Sequence, residues 1–287
     1  MKHTTLLIAL ALCTTNALAG QINNWSTETH TPHFLDVNGN SNASKGILLQ
    51  AKSPDTDSLL LLDDTTQSVV PIELANVVVT LADVDGDGFS DIFAVYKDDR
   101  VAMTYLGYKD GFRSAAAHQY NVDSLTWLGD TTDISLIAGD FNGDNRQDIV
   151  VVSAQKRYVM HAGVNGQLSV VQTINGNAKW GNDRTDKRII KDFNGDGRDD
   201  LFFQAKQKNK KHTIIYADSN GYLKNKNSHK ITAKITGTDW NGDDYSIGAG
   251  NIDDDKAVEL VLFNNASGGI DENGIIVQGK AAATSNH

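Results

Sequence analysis

A nine-residue pattern, Asp-x-(Asp/Asn)-Gly-Asp-x-x-x-Asp, stands at 83–91, 140–148 and 192–200, and no other feature of this 287-residue chain restricts its fold as much. The starts lie 57 and 52 residues apart, and each copy runs directly into an apolar stretch. Two weaker copies flank them. Asp36-Val-Asn-Gly-Asn begins 47 residues before Asp83, and Asn251-Ile-Asp-Asp-Asp-Lys-Ala-Val-Glu259 begins 59 residues after Asp192. Self-similarity at a fixed period marks a chain assembled from stacked supersecondary units. There are five, and they fill the chain beyond its N-terminal segment.

Each unit reads as strands alone, because its apolar runs are short, rich in β-branched residues and separated by turn signals. In the second unit 77–82 enters the loop, 91–97 leaves it, 100–108 follows the Asp98-Asp99 turn and 112–122 supplies a fourth strand. The third unit repeats this with 134–138, 148–153, 157–162 and 168–174. Four sequential antiparallel strands at a period of about 50 predict an all-β chain, a β-propeller of four-stranded antiparallel blades, five in number. The last unit offers three strands, 246–251, 259–263 and 275–279. The stretch 21–30 is expected to lend it an outer strand and so close the ring between the termini.

The loop itself predicts a metal. Calcium is a hard cation that takes about six to eight oxygens in a flexible shell, and side-chain oxygens at positions one, three, five and nine present them on one side of a tight loop. The ligands are then Asp83, Asp85, Asp87 and Asp91; Asp140, Asn142, Asp144 and Asp148; and Asp192, Asn194, Asp196 and Asp200, with the backbone carbonyls of Phe89, Arg146 and Arg198 at position seven. Gly86, Gly143 and Gly195 fall where the chain must turn sharply. An EF-hand is excluded, since its twelfth position needs a bidentate Glu and here holds Ala94, Val151 or Phe203. In the last unit Asn251, Asp253, Asp255 and Glu259 keep three carboxylates without the glycine, so a calcium site and a plain turn both remain open. The copy at Asp36, with Asn38, Asn40 and Ser44, reads as a metal-free turn.

At these residues the sequence resembles the FG-GAP and VCBS repeat family, known from the N-terminal propeller of integrin α-chains and from bacterial exported proteins. The resemblance covers nearly all of the chain after residue 19. It implies a calcium loop joining the first and second strands of a blade, at Asp83, Asp140 and Asp192. The family's phenylalanine-glycine and glycine-alanine-proline signatures are not intact here.

Residues 1–19 carry Lys2, an apolar run from Leu6 to Leu12 and the small-residue end Ala17-Leu18-Ala19, as a cleaved secretory signal does. A single domain, 20–287, is expected in the periplasm or outside the cell. The apolar run is shorter than the ~20 residues a membrane span needs, and no later stretch qualifies. Cys13 is the only cysteine and lies within the signal, which leaves neither a disulfide nor a thiol nucleophile afterwards. Leu12 is a poor match to the small residue that precedes a lipidated cysteine. A formal net charge of −10 argues against nucleic acid as a partner.

A second recurrence lies ahead of the loops, in Trp127-Leu-Gly-Asp130, Trp180-Gly-Asn-Asp183 and Trp240-Asn-Gly-Asp243, with Trp25 a further candidate. Successive blade connections alternate between faces, which puts these residues opposite the calcium loops. They read either as aromatic platforms for a glycan or protein ligand, or as plugs that seal neighbouring blades. Lys206, Lys208, Lys210 and Lys211 share that face, as charges that protect exposed hairpins or as a surface for an anionic polysaccharide. The chain has no Gly-x-Ser-x-Gly elbow and no His-Glu-x-x-His, and its histidines are scattered. A non-enzymatic binding or adhesion module is therefore expected, with a polysaccharide lyase or hydrolase on the same architecture as the alternative.

Overall fold

The computed structural model describes residues 26–36, 45–62, 67–121, 134–153, 156–175, 188–205, 211–231, 234–235, 238–239, 245–252, 255–264, 269–270 and 276–277. All regular structure among them is β. The first sheet is β1 (His30–Asp36), β2 (Lys45–Ala51), β3 (Leu59–Leu61) and β4 (Gln67–Val69). The second takes β5 (Val78–Ala82), β6 (Asp91–Tyr96) and β7 (Val101–Tyr105), then a two-stranded ribbon β8 (Gly107–Tyr108) and β9 (Gly111–Phe112) intervenes before β10 (His118–Asn121) completes it. The third is β11 (Ser135–Gly139), β12 (Asp148–Val152), β13 (Lys156–Ala162) and β14 (Leu168–Asn175). The fourth is β15 (Arg188–Lys191), β16 (Asp200–Phe203), β17 (His212–Ala217) and β18 (Leu223–Ile231). A short ribbon of β19 (Lys234–Ile235) and β20 (Thr238–Asp239) precedes the fifth, made of β21 (Tyr245–Gly250), β22 (Glu259–Asn264), β23 (Gly269–Ile270) and β24 (Ile276–Val277).

Every strand pair is antiparallel, and the first four sheets are meanders in chain order. Side chains alternate between the faces of a strand, so a strand sandwiched between two other sheets must be apolar at every position. The second strands show this directly. Ile92 and Ala94 of β6 pack with Leu48 and Leu60 of the first sheet, while Phe93 and Val95 pack with Val151, Tyr158 and Met160 of the third. Val150 and Val152 then meet Leu201, Phe203 and Ile215, and Phe202 turns the other way to Leu260. The core is thus a succession of inter-sheet layers. Contacts also run between first strands, β1 with β5, β5 with β11, β11 with β15 and β15 with β21, as when blades converge on one axis. The architecture is propeller-like, in agreement with the repeat.

Two strand assignments differ from the sequence reading. The fourth strand of the second sheet begins only at His118, because Gly107–Phe112 folds back on itself as the ribbon. In the fifth sheet, β23 pairs with Phe263–Asn264 and β24 with Leu260–Val261, so the two short strands share one side of β22 and the sheet is three strands wide among the described residues. Half of the stretch 21–30, expected to supply its outer strand, lies outside the described residues. Ser26 to Thr29 form a turn whose Ser26 carbonyl accepts the His30 N–H at 2.8 Å, and His30 opens β1. The seven-residue register of β1 with β2 places that strand in the first sheet.

Candidate metal centres

Each strong loop joins the first strand of its sheet to the second and is wound around its own side chains. The carboxylate at position one accepts the backbone N–H groups of positions four and six: Gly86 at 2.8 Å and Gly88 at 2.9 Å on Asp83, Gly143 at 2.7 Å and Asn145 at 2.8 Å on Asp140, Gly195 at 2.6 Å and Gly197 at 2.7 Å on Asp192. Positions three and five each accept the N–H two residues on: Asp85 from Asp87 and Asp87 from Phe89, Asn142 from Asp144 and Asp144 from Arg146, Asn194 from Asp196 and Asp196 from Arg198. These are Asx turns in series. The path needs left-handed backbone at two places, which is why position four is glycine (φ 78° at Gly86) and position six is Gly88, Asn145 or Gly197.

Position nine closes the loop from below. Asp91, Asp148 and Asp200 are fully buried. One oxygen of each accepts the N–H of position two, from Val84 at 2.8 Å, Phe141 at 3.2 Å and Phe193 at 3.0 Å. The other accepts an N–H just beyond or at the end of the third strand, from Gly107 at 2.7 Å, Ala162 at 2.9 Å and Ala217 at 2.9 Å. Burial outweighs these bonds and, with the neighbouring carboxylates, pushes the three acids up to about 7, 7 and 8. Burial also raises Asp83 and Asp85, helped by repulsion from Asp87 on both and from Asp85 on Asp83.

In the second unit Asp83, Asp85 and Asp91 each bring a carboxylate oxygen within 4.8 Å of the others. Asp87 stands outside that trio. An all-oxygen, anionic donor set on a tight loop, with acids held reluctant to ionise beside one another, fits a hard divalent cation such as calcium. The other two loops keep the same winding with a different charge balance. Arg146 and Arg198 occupy position seven, and each pairs with the carboxylate at position five, Asp144 and Asp196. In the fifth unit Asn251 and Asp255 are exposed, and Asn251 donates to the Asp255 carbonyl. Glu259 is buried with one oxygen on the Ile252 N–H at 2.9 Å and the other without a partner among the described residues. Asp253, Asn38, Asn40, Ser44 and the Asp36 side chain lie outside the described residues. So do Trp25, Trp127, Asp130, Trp180, Asp183, Trp240, Asp243, Lys206, Lys208 and Lys210.

Position eight is the set of residues that the sequence reading did not single out. Gln147 donates its N–H to the Asp83 carbonyl at 2.7 Å and accepts the Asp83 N–H on its side-chain oxygen at 2.9 Å. Asp199 does the same for Asp140, at 2.8 and 2.9 Å. Val258 reaches Asp192 with its N–H alone, at 2.8 Å. Each loop is therefore hooked at its first residue by the eighth residue of the next. The available signal was a hydrogen-bonding residue (Ser90, Gln147, Asp199) at one fixed place in a turn.

Residues 83–151 match the model of the FG-GAP-like repeat. No curated protein sequence matches the chain. Among solved structures the fold is similar to an Agrocybe aegerita lectin described as recognising non-reducing terminal N-acetylglucosamine, with a TM-score of 0.58, 15% identity, and coverage of 89% of this chain and 67% of the lectin. The exotype rhamnogalacturonan lyase YesX aligns over 88% of this chain and 49% of its own, with 14% identity and a TM-score of 0.46. The V. cholerae biofilm matrix protein Bap1 aligns over 86% and 38%, with 15% identity and a TM-score of 0.37. This chain thus spans about two thirds of the lectin and half or less of the other two.

Proposed function

We propose that this chain, which carries an FG-GAP-type repeat on an all-β, propeller-like fold, is an exported, calcium-stabilised binding module for a glycan or protein ligand, without catalytic activity of its own. The observation that carries the calcium half is the convergence of Asp83, Asp85 and Asp91 oxygens within 4.8 Å on a loop wound by its own backbone. When bound, calcium supplies positive charge to carboxylates that otherwise repel. Asp83 and Asp85 would hold it, with Asp91 anchoring the loop floor, and the side chains of Asp140, Asn142, Asp192 and Asn194 stand ready in the same places of their loops. The fold likeness to a lectin supports a glycan as the ligand class. The tryptophan-bearing connections, which chain alternation leads one to expect on the face opposite the loops, are the surface proposed to meet it.

The experiment is a glycan array probed with and without chelator, followed by product analysis on the best ligands. Binding that calcium restores, with no new reducing or unsaturated ends, supports the module. Turnover makes the protein a polysaccharide-active enzyme instead, and no binding to any glycan moves the search to protein ligands.

A further inference from the structure

We propose that Arg146 and Arg198 are built-in counter-charges that set the cation affinity of their own loops, so that 83–91 is the tight site and 140–148 and 192–200 are weak ones. The inference rests on the calcium reading above and deepens it. Its basis is a difference of two residues. Where the second unit has Asp85 and Phe89, the third and fourth have Asn and Arg at both places.

The consequence falls on position five. The outer oxygen of Asp144 receives the Arg146 guanidinium and the Asn142 side-chain N–H at 3.1 Å. Asp196 receives Arg198 and Asn194, the latter at 3.0 Å. The inner oxygen of each takes a backbone N–H. Both carboxylates are thus supplied with donors and neutralised from within the loop. Asp87 has neither donor beside it, because Asp85 offers no N–H from its side chain and Phe89 has no charge. At positions one, three, five and nine a cation entering 83–91 meets four carboxylates; in either other loop it meets three there and a guanidinium it must displace or endure.

The arginines are held where they act. Arg146 donates its Nε to the Ala162 carbonyl at 3.1 Å, and both ion pairs are mostly buried, with side-chain exposures of 22% and 29% for Arg146 and Asp144 and of 22% and 17% for Arg198 and Asp196. Solvent therefore screens them less than it does a surface pair. Their stems serve the neighbouring loop as well. A Cβ on Gly86 would sit 3.0 Å from Arg146 Cγ, and one on Gly143 would sit 3.1 Å from Arg198 Cγ, so the aliphatic part fills the space beneath the preceding turn. Arg→Met keeps that stem and removes the charge.

The test is calorimetric titration of the intact chain with Ca²⁺ after chelation. Wild type should show one site at least about tenfold tighter than two others, the tight one disappearing in Asp85→Ala. In Arg146→Met/Arg198→Met the weak pair should tighten about tenfold with the tight site unmoved, roughly the effect of one removed like charge at short range. The converse variant, Phe89→Arg, leaves the arginines in place and should weaken the tight site by a similar factor. Three equal sites in wild type, or arginine variants whose weak sites stay where they were, overturn the proposal while leaving calcium binding intact. Absence of any Ca²⁺ uptake overturns both.

Discussion

The loops at 192–200 and 251–259 hold corresponding places in adjacent units, and they are finished to different standards. Asp200 is short enough to sit under its loop with both oxygens engaged, on Phe193 and Ala217. Glu259, one methylene longer, bonds Ile252 alone among the described residues. Position two is buried as Phe193 in the first loop and is 51% exposed as Ile252 in the second. The hook between the third and fourth loops has two hydrogen bonds, whereas that between the fourth and fifth has one, since Val258 has no side-chain acceptor. The difference teaches that the acidic spacing does not close this loop by itself. Closure comes from a fully bonded carboxylate beneath the turn and a polar neighbour beside it.

The largest effect expected is that of pH. With chelator present, Asp91, Asp148 and Asp200 hold their protons to about 7, 7 and 8 when folded but release them near 3.8 when unfolded. The folded chain therefore binds more protons between those values, and stability falls as pH rises from about 4 to 8, by several kcal/mol at ~1.4 kcal/mol per unit. Melting temperatures across that range check it. Asp91→Asn, Asp148→Asn and Asp200→Asn should each flatten the slope, and a slope that survives all three together places the effect elsewhere.

Next in size, Asp200→Ala strands two buried N–H groups and should cost about 2–4 kcal/mol by urea unfolding at saturating calcium, against about 1 kcal/mol for Glu259→Ala, which strands one at an exposed turn. Equal costs would break the comparison between the two units. Calcium at a hundredfold over its dissociation constant should then add about 2.7 kcal/mol per filled site, read as a rise in melting temperature that EDTA reverses. Hydrogen exchange should show the added protection at Gly86 and Gly88 and little at Ile252. Smallest, Val258→Gln supplies the acceptor that Gln147 and Asp199 provide elsewhere and should gain about 0.5–1 kcal/mol. A neutral result means that the Asp192 N–H already has a solvent partner as good.

Fold class was legible because the strands announce themselves twice, through apolar runs of strand length and through the loop spacing that cuts them. Ile92-Phe-Ala-Val95 and Asp148-Ile-Val-Val-Val152 show no polar alternation, and burial on both faces is the reason. The candidate ligands were legible for a related reason, since an Asx turn is local and its residues lie two to five apart. Other features depend on register across sheets, which no local period records. Gln147 finds Asp83 from 64 residues away and Asp199 finds Asp140 from 59. The same limit applies to 26–30, whose turn at Ser26 leads into the long pairing of β1 with β2 through the first sheet's own register.

The hooks all point one way, from a later loop back to an earlier one. Each is a mutual bond, so a mutation that unravels the turn at 251–259 takes a donor from the Asp192 carbonyl, and injury to 83–91 strips Gln147 of the partners of its N–H and its side-chain oxygen. The row behaves like a chain of climbers, each roped to the next. Damage to one loop should therefore be felt by both of its neighbours, and least across the single bond between Val258 and Asp192.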